Sequence, residues 1–227
     1  MEIIWQDILK LLSDMGAMLR IPAPFVIVEF VGTLAFAISG IRLASSKSFD
    51  WFGAYVVGMA TAIGGGTMRD LMLGIPPFWL TNSVYFWCCA LSLLLTIVFK
   101  KQIVHTRYTL FLFDTIGLAL FNVIGIEKTL TMGFPGWTAI IMGCITGAGG
   151  GVIRDVLLRE IPLIFRSEIY AMACIAGGIA YVFIRDLGGT AELSAMISII
   201  VVIVIRVLAV KYKWHLPVLK GDGGEGL

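Results

Sequence analysis

Two stretches place glycine and charge inside apolar segments: Gly64-Gly65-Gly66-Thr67-Met68-Arg69-Asp70 and Gly149-Gly150-Gly151-Val152-Ile153-Arg154-Asp155. Each glycine is worse than alanine in a helix by roughly 1 kcal/mol. A triplet therefore reads as a point where a membrane helix loses its winding. Such a break bares carbonyl oxygens before it and N–H groups after it. In hydrocarbon these groups must face protein or a water-filled path. The carbonyl ends carry partial negative charge, and Thr61 and Thr146, one turn before the triplets, offer hydroxyl oxygens. Two such ends facing one cavity make an oxygen-rich cation site with no dedicated metal ligand and no cofactor. A phosphate cradle is disfavoured, because no GxxxxGK[ST] pattern follows.

The ionisable residues extend this reading. Glu29 and Asp114 lie about two turns into apolar segments, and Arg69, Asp70, Arg154 and Asp155 follow the glycines. Their order along the chain suggests the pairs Glu29–Arg69 and Asp114–Arg154. Four acids against two bases favours cations over anions along a path. Two structural alternatives stay open. The arginines can serve only to salt-bridge neighbours or cap freed carbonyls. The glycines can serve close helix packing, as Gly143-x-x-x-Gly147 and Gly147-x-x-x-Gly151 would allow.

The elements that must position these residues are membrane helices. Of the 227 residues 59% are hydrophobic and 14% charged, with a mean hydropathy of +0.95; soluble domains carry about 25% charged residues. Seven candidate spans fall near 23–42, 52–74, 79–99, 108–127, 137–158, 168–185 and 192–210. Most approach the ~20 residues that cross a bilayer core. Trp51, Trp79, Trp137 and Trp214 stand at span edges, as an aromatic belt requires. Residues 1–22 are expected to form an amphipathic helix rather than a cleavable signal. The tail 211–227 is expected to be a disordered cytoplasmic end.

The four cysteines show neither CxxC nor Cys/His spacing and read as small apolar packing residues. His105 and His215 fall outside the spans, so no Ser/His/Asp or zinc site can be assembled there. A formal charge of +2 points to no nucleic-acid partner. Counting cations outside the membrane gives 4 on the N-terminal side (Lys10, Arg20, Lys128, Arg185) and 11 on the other, Arg206 among them. The N-terminus is thus expected outside and the C-terminus in the cytoplasm of a cell inner or plasma membrane.

The chain repeats itself at an offset of 85. Glu29 meets Asp114, Gly32 meets Gly117, Phe36 meets Phe121, Gly40 meets Gly125, Gly58 meets Gly143, Thr61 meets Thr146 and Pro77 meets Pro162. Each repeat, 25–100 and 110–185, holds three spans, and an odd number inverts the second copy. The expected fold is an all-α integral membrane protein, with seven transmembrane helices as an inverted 3+3 repeat plus one (192–210) within 23–210. Helices 2 and 5 are expected to be glycine-broken and to meet near mid-bilayer, where inverted-repeat transporters place their sites.

The duplicated Gly-Gly-Gly-x-x-Arg-Asp in a 3+3+1 chain resembles the prokaryotic trimeric intracellular cation (TRIC) channels, which share the motif with bacterial relatives labelled glycine transporters. The resemblance covers all but the N-terminal helix and the tail. It implies a membrane-embedded homotrimer with a potassium-permeable pore in each protomer. It also implies that Gly64 to Gly66 and Gly149 to Gly151 kink the pore helices. Thr67-Met68-Arg69-Asp70 stands where animal members carry Lys-Glu-Val, so animal-type gating does not carry over. The alternative is a secondary transporter of a small amino acid such as glycine.

Overall fold

A computed structural model describes residues 23–104, 108–166 and 169–217, together with Gln6, Leu9, Lys10, Ser13 and Asp14. The expected helix over 1–22 and the tail beyond 217 therefore lie largely outside the described residues. Seven helices of 15 to 24 residues carry the fold. They are α1 (Ala23–Ser46), α2 (Trp51–Met72), α3 (Val84–Val98), α4 (Thr109–Thr131), α5 (Gly136–Leu157), α6 (Ala171–Asp186) and α7 (Ala191–Tyr212). A single helical turn, Lys100–Ile103, follows α3. Four of the seven (α1 from Pro24, α4, α5 and α7) are long and apolar enough to cross a membrane. The 15-residue α3 spans only ~22 Å at 1.5 Å per residue.

Polarity is distributed as lipid requires. Trp87, Leu94, Val98, Phe183 and Ile200 point outward, while Arg69, Arg154 and Arg206 are among the largest fully buried side chains. A water-soluble bundle would do the reverse.

The offset of 85 persists in backbone detail. The 3-10 turns Phe78–Leu80 and Leu163–Phe165 coincide under it. So do two left-handed positions, Gly74 (φ 71°) with Arg159 (φ 56°) and Ser48 (φ 60°) with Gly133 (φ 83°). The repeated turn geometry is imposed by the fold, since only one partner of each pair is the glycine that such a backbone favours.

The repeats meet through α1 with α4 and α2 with α5. Phe36 stacks on Phe121 with ring centroids 5.4 Å apart. Along α2 and α5 contacts run antiparallel: the face of Gly64 meets Ile153, and that of Gly149 meets Met68. A methyl group on Gly65 would overlap the Thr146 carbonyl oxygen, and one on Gly150 the Thr61 carbonyl oxygen. α7 packs on α6 and α4.

One expectation fails at this crossing. α2 and α5 are wound without interruption through their triplets, and all six glycines are buried. The triplets remove side-chain bulk so that two intact helices can touch backbone to backbone, which recovers more than their poor propensity loses. No peptide oxygens are bared into a conduit here.

At the end of the bundle where α1 joins α2, Lys47 Nζ lies 2.6 Å from Glu160 Oε1. That lysine holds the Glu160 carboxyl below its usual range. Because the folded-state value is depressed, the pair's stabilisation is present above the ordinary carboxylate range and is lost as pH falls from there through the depressed value. Thermal unfolding should therefore be less acid-dependent in Glu160→Gln than in the native chain below about pH 5. Gly65→Ala and Gly150→Ala should each lower stability by about 1–3 kcal/mol despite better helix propensity, because a backbone carbonyl must yield. Unchanged melting temperatures in both would show that the crossing is loose.

Candidate functional site

Two buried charge clusters flank the α2–α5 crossing, one in each repeat. In the first, Asp70 Oδ1 accepts from Arg69 Nε at 2.8 Å and pairs with Arg69 Nη2 at 2.8 Å and Lys128 Nζ at 3.1 Å. Its Oδ2 accepts the backbone N–H of Phe78 at 2.9 Å. In the second, Asp155 Oδ1 accepts from Arg154 Nε at 2.8 Å and pairs with Nη2 at 2.8 Å. Its Oδ2 accepts the backbone N–H of Leu163 at 3.2 Å. Phe78 and Leu163 again differ by 85. Each Arg-Asp pair thus clasps the chain where it re-enters the bundle after the helix.

The third glycine of each triplet belongs to the same clasp. A methyl on Gly66 would stand 2.5 Å from the Phe78 ring, and one on Gly151 2.6 Å from the Tyr170 hydroxyl. Tyr170 is the counterpart of Tyr85, which packs edge-on against Phe78 at 4.5 Å.

Of the two expected acid–arginine pairs, one forms. Arg154 Nη1 donates to Asp114 Oδ1 at 2.5 Å and to Ser39 Oγ at 2.6 Å. No ion pair joins Glu29 to Arg69. Arg69 turns to its neighbour Asp70 instead, and Lys128 supplies the second cation to that acid. Glu29 is buried beside Tyr85. Glu29 Oε2, the Tyr85 hydroxyl and Arg69 Nη1 have no hydrogen-bond partner among the described residues.

Two buried cations escape a count confined to the motifs. Lys128 reads as a loop residue when the fourth span is ended at 127, but α4 continues to Thr131 and buries it. Arg206 sits in an apolar run, which was a usable signal; it is buried, with its guanidinium 4.9 Å from the Tyr170 ring centre and 5.2 Å from that of Phe111. Glu127 is also buried and accepts from the Tyr181 hydroxyl. The buried set among the described residues is five acids and four bases. The expected surplus of two acids shrinks to one.

Thr61 and Thr146 do not present free hydroxyls. Thr61 Oγ1 donates to Val57 O at 2.7 Å and Thr146 Oγ1 to Met142 O at 2.5 Å, each inside its own helix. Their oxygens instead fill the space left by Gly40 and Gly125, where an added methyl would come within 2.5 Å. The centre is therefore a close-packed seal of glycine and back-bonded threonine, with buried charge on either side of it. Removing one member of a buried ion pair strands the other, at about 3–5 kcal/mol. The clusters therefore hold the helices in register as well as placing charge near the seal.

A protein-family model described as Glycine transporter matches the chain twice, at residues 26–101 and 111–186, two segments that differ by 85. The UPF0126 inner membrane protein YadS of Escherichia coli is 42% identical over 201 residues, 86% of this chain and 95% of its own. A solved structure described as a TRIC cation channel superposes with a TM-score of 0.78 at 35% identity, covering 88% of this chain and 99% of the other. The TRIC trimeric intracellular cation channel orthologue from Rhodobacter sphaeroides gives 0.79 at 34% identity, over 83% and 98%. Duplicated motif, paired clasps and matches over most of the chain lead to one assignment: the chain belongs to the family whose model is described as Glycine transporter, its relatives are UPF0126 membrane proteins, and its fold is that of the TRIC channels.

Proposed function

We propose that the chain is a potassium-permeable cation channel that acts as a homotrimer, each protomer holding its own path between two inverted repeats. The observation that carries this reading is the match to a TRIC cation channel over 88% of this chain at 35% identity. All seven helices cross the bilayer in the proposed arrangement, with the N-terminus outside. Removing buried Lys128 and Arg206 from the charge count leaves 3 cations on the N-terminal side against 10 on the other, so the inferred orientation stands.

The close-packed crossing corresponds to a closed channel. Opening separates α2 from α5 as intact rods, with no unwinding of the triplets. Glycine faces suit such a movement, since little side-chain interdigitation has to be undone. The clasps at Asp70 and Asp155 tie each pore helix to the segment that follows it. Glu29, which lies beside Tyr85 and is joined to no cation by an ion pair, stands ready to meet a cation as water enters.

A second reading, a carrier for a small amino acid, is favoured by one specific feature. Glu29 Oε2 and Arg69 Nη1 are buried, of opposite charge and unpartnered, a combination that suits an ammonium and a carboxylate.

Planar-bilayer recording of the purified protein in asymmetric potassium chloride should give unitary currents that reverse near the potassium equilibrium potential. Saturable glycine uptake into liposomes without unitary currents would support the carrier instead. Glu29→Gln should lower cation conductance severalfold with little loss of stability. Asp70→Asn should instead destabilise the fold by about 3–5 kcal/mol, because Arg69 and Lys128 lose their shared acid. Normal conductance in Glu29→Gln removes Glu29 from the path.

A further inference from the structure

The two repeats differ at one place where the fold leaves them alike. In the second, Tyr181 is fully buried and donates to Glu127. Its counterpart 85 residues earlier is Thr96, and that of Glu127 is Arg42. Beside Thr96, the positional counterpart of Tyr181, repeat one has a cavity of about 330 Å³, lined by Ile41, Ser45, Trp51, Thr96, Ile97 and Lys100 among others. The counterparts of Trp51 and Ile97 are Gly136 and Val182. A methyl on Gly136 would stand 2.8 Å from Val182 Cγ1, so repeat two is closed at the point where repeat one is open.

We propose that this cavity is a binding site for an aromatic monocarboxylate, whose ring takes the place that Tyr181 fills in the other repeat. The volume is at the lower end of small-molecule sites. Ile41, Trp51 and Ile97 supply walls for a flat apolar body. The lining also carries one cation, Lys100, which is exposed, and the Ser45 hydroxyl. Thr96 donates its own hydroxyl proton to Ser92 O at 2.8 Å. The side-chain donors for an anionic oxygen are therefore Ser45, Lys100 and the Trp51 indole N–H, of which Lys100 carries the charge. The ring goes inward and the carboxylate stays at the mouth, with no need to bury its charge. The site lies between α1, α2 and α3, away from both charge clusters, so it does not rest on the channel reading.

The test uses 4-fluorobenzoate with the full-length protein in detergent, read by fluorine-19 line broadening and by thermal unfolding. At 10 mM the native chain should broaden the probe signal and unfold about 3 °C higher. Thr96→Tyr should abolish both effects by filling the cavity as repeat two does. Lys100→Gln leaves the cavity intact and should weaken binding roughly tenfold; it carries the test if the tyrosine variant does not fold. Absence of broadening with native protein overturns the proposal, as does broadening that survives both substitutions. Oleate that raises the unfolding temperature while 4-fluorobenzoate does not assigns the cavity to a lipid chain and also overturns it.

Discussion

Everything in this molecule is arranged around a contact between two backbones. At Gly65 and Gly150 the faces of α2 and α5 come so close that neither position has room for a methyl group. The contact is reciprocal, each middle glycine lying against the carbonyl of a threonine in the other helix. Close approach of this kind is a main source of helix association where lipid removes the hydrophobic drive. It also fixes what surrounds it. Thr61 and Thr146 must turn their hydroxyls back into their own helices, Gly40 and Gly125 must make room for them, and the charged residues must lie beyond the crossing.

The clasps follow from the same constraint. A crossing with so little side-chain interlock resists sliding poorly, and the register is supplied by polar links between the repeats, Lys128 to Asp70 and Arg154 to Ser39. Each carboxylate binds its own arginine with one oxygen and the returning backbone with the other. The copies then diverge. Repeat one recruits Lys128 from α4 to Asp70 and leaves Glu29 unpaired, while repeat two ties Asp114 to Arg154 and places Arg206 of α7 over Tyr170. A duplicated scaffold thus carries two unequal ends.

Much of this was legible in the sequence. Hydropathy located all seven helices, and the single offset of 85 tied Glu29 to Asp114, Arg69 to Arg154 and Thr61 to Thr146 before any contact was known. The state of the glycines was not legible. Propensity argues locally for a break at three consecutive glycines, whereas a partner helix presenting its own triplet stabilises continuous winding, and the partner is invisible to a local rule. The Glu29–Arg69 pair was misplaced for a related reason. Spacing brings the residues to one level but does not reveal Asp70 and Lys128 as competitors. Lys128 lies just past the expected end of the fourth span at 127, in a helix that runs four residues further, and Arg206 counts as a loop cation only if its place inside 192–210 is ignored.

In the proposed channel, ions are held back by this backbone contact and not by a narrow ring of side chains. Single-channel recording of Gly150→Ala in potassium chloride tests that most directly, because the added methyl acts as a wedge against the Thr61 carbonyl while leaving every charge in place. The account predicts longer openings and a higher open probability than in the native chain. A folded variant with native conductance and native gating would contradict it.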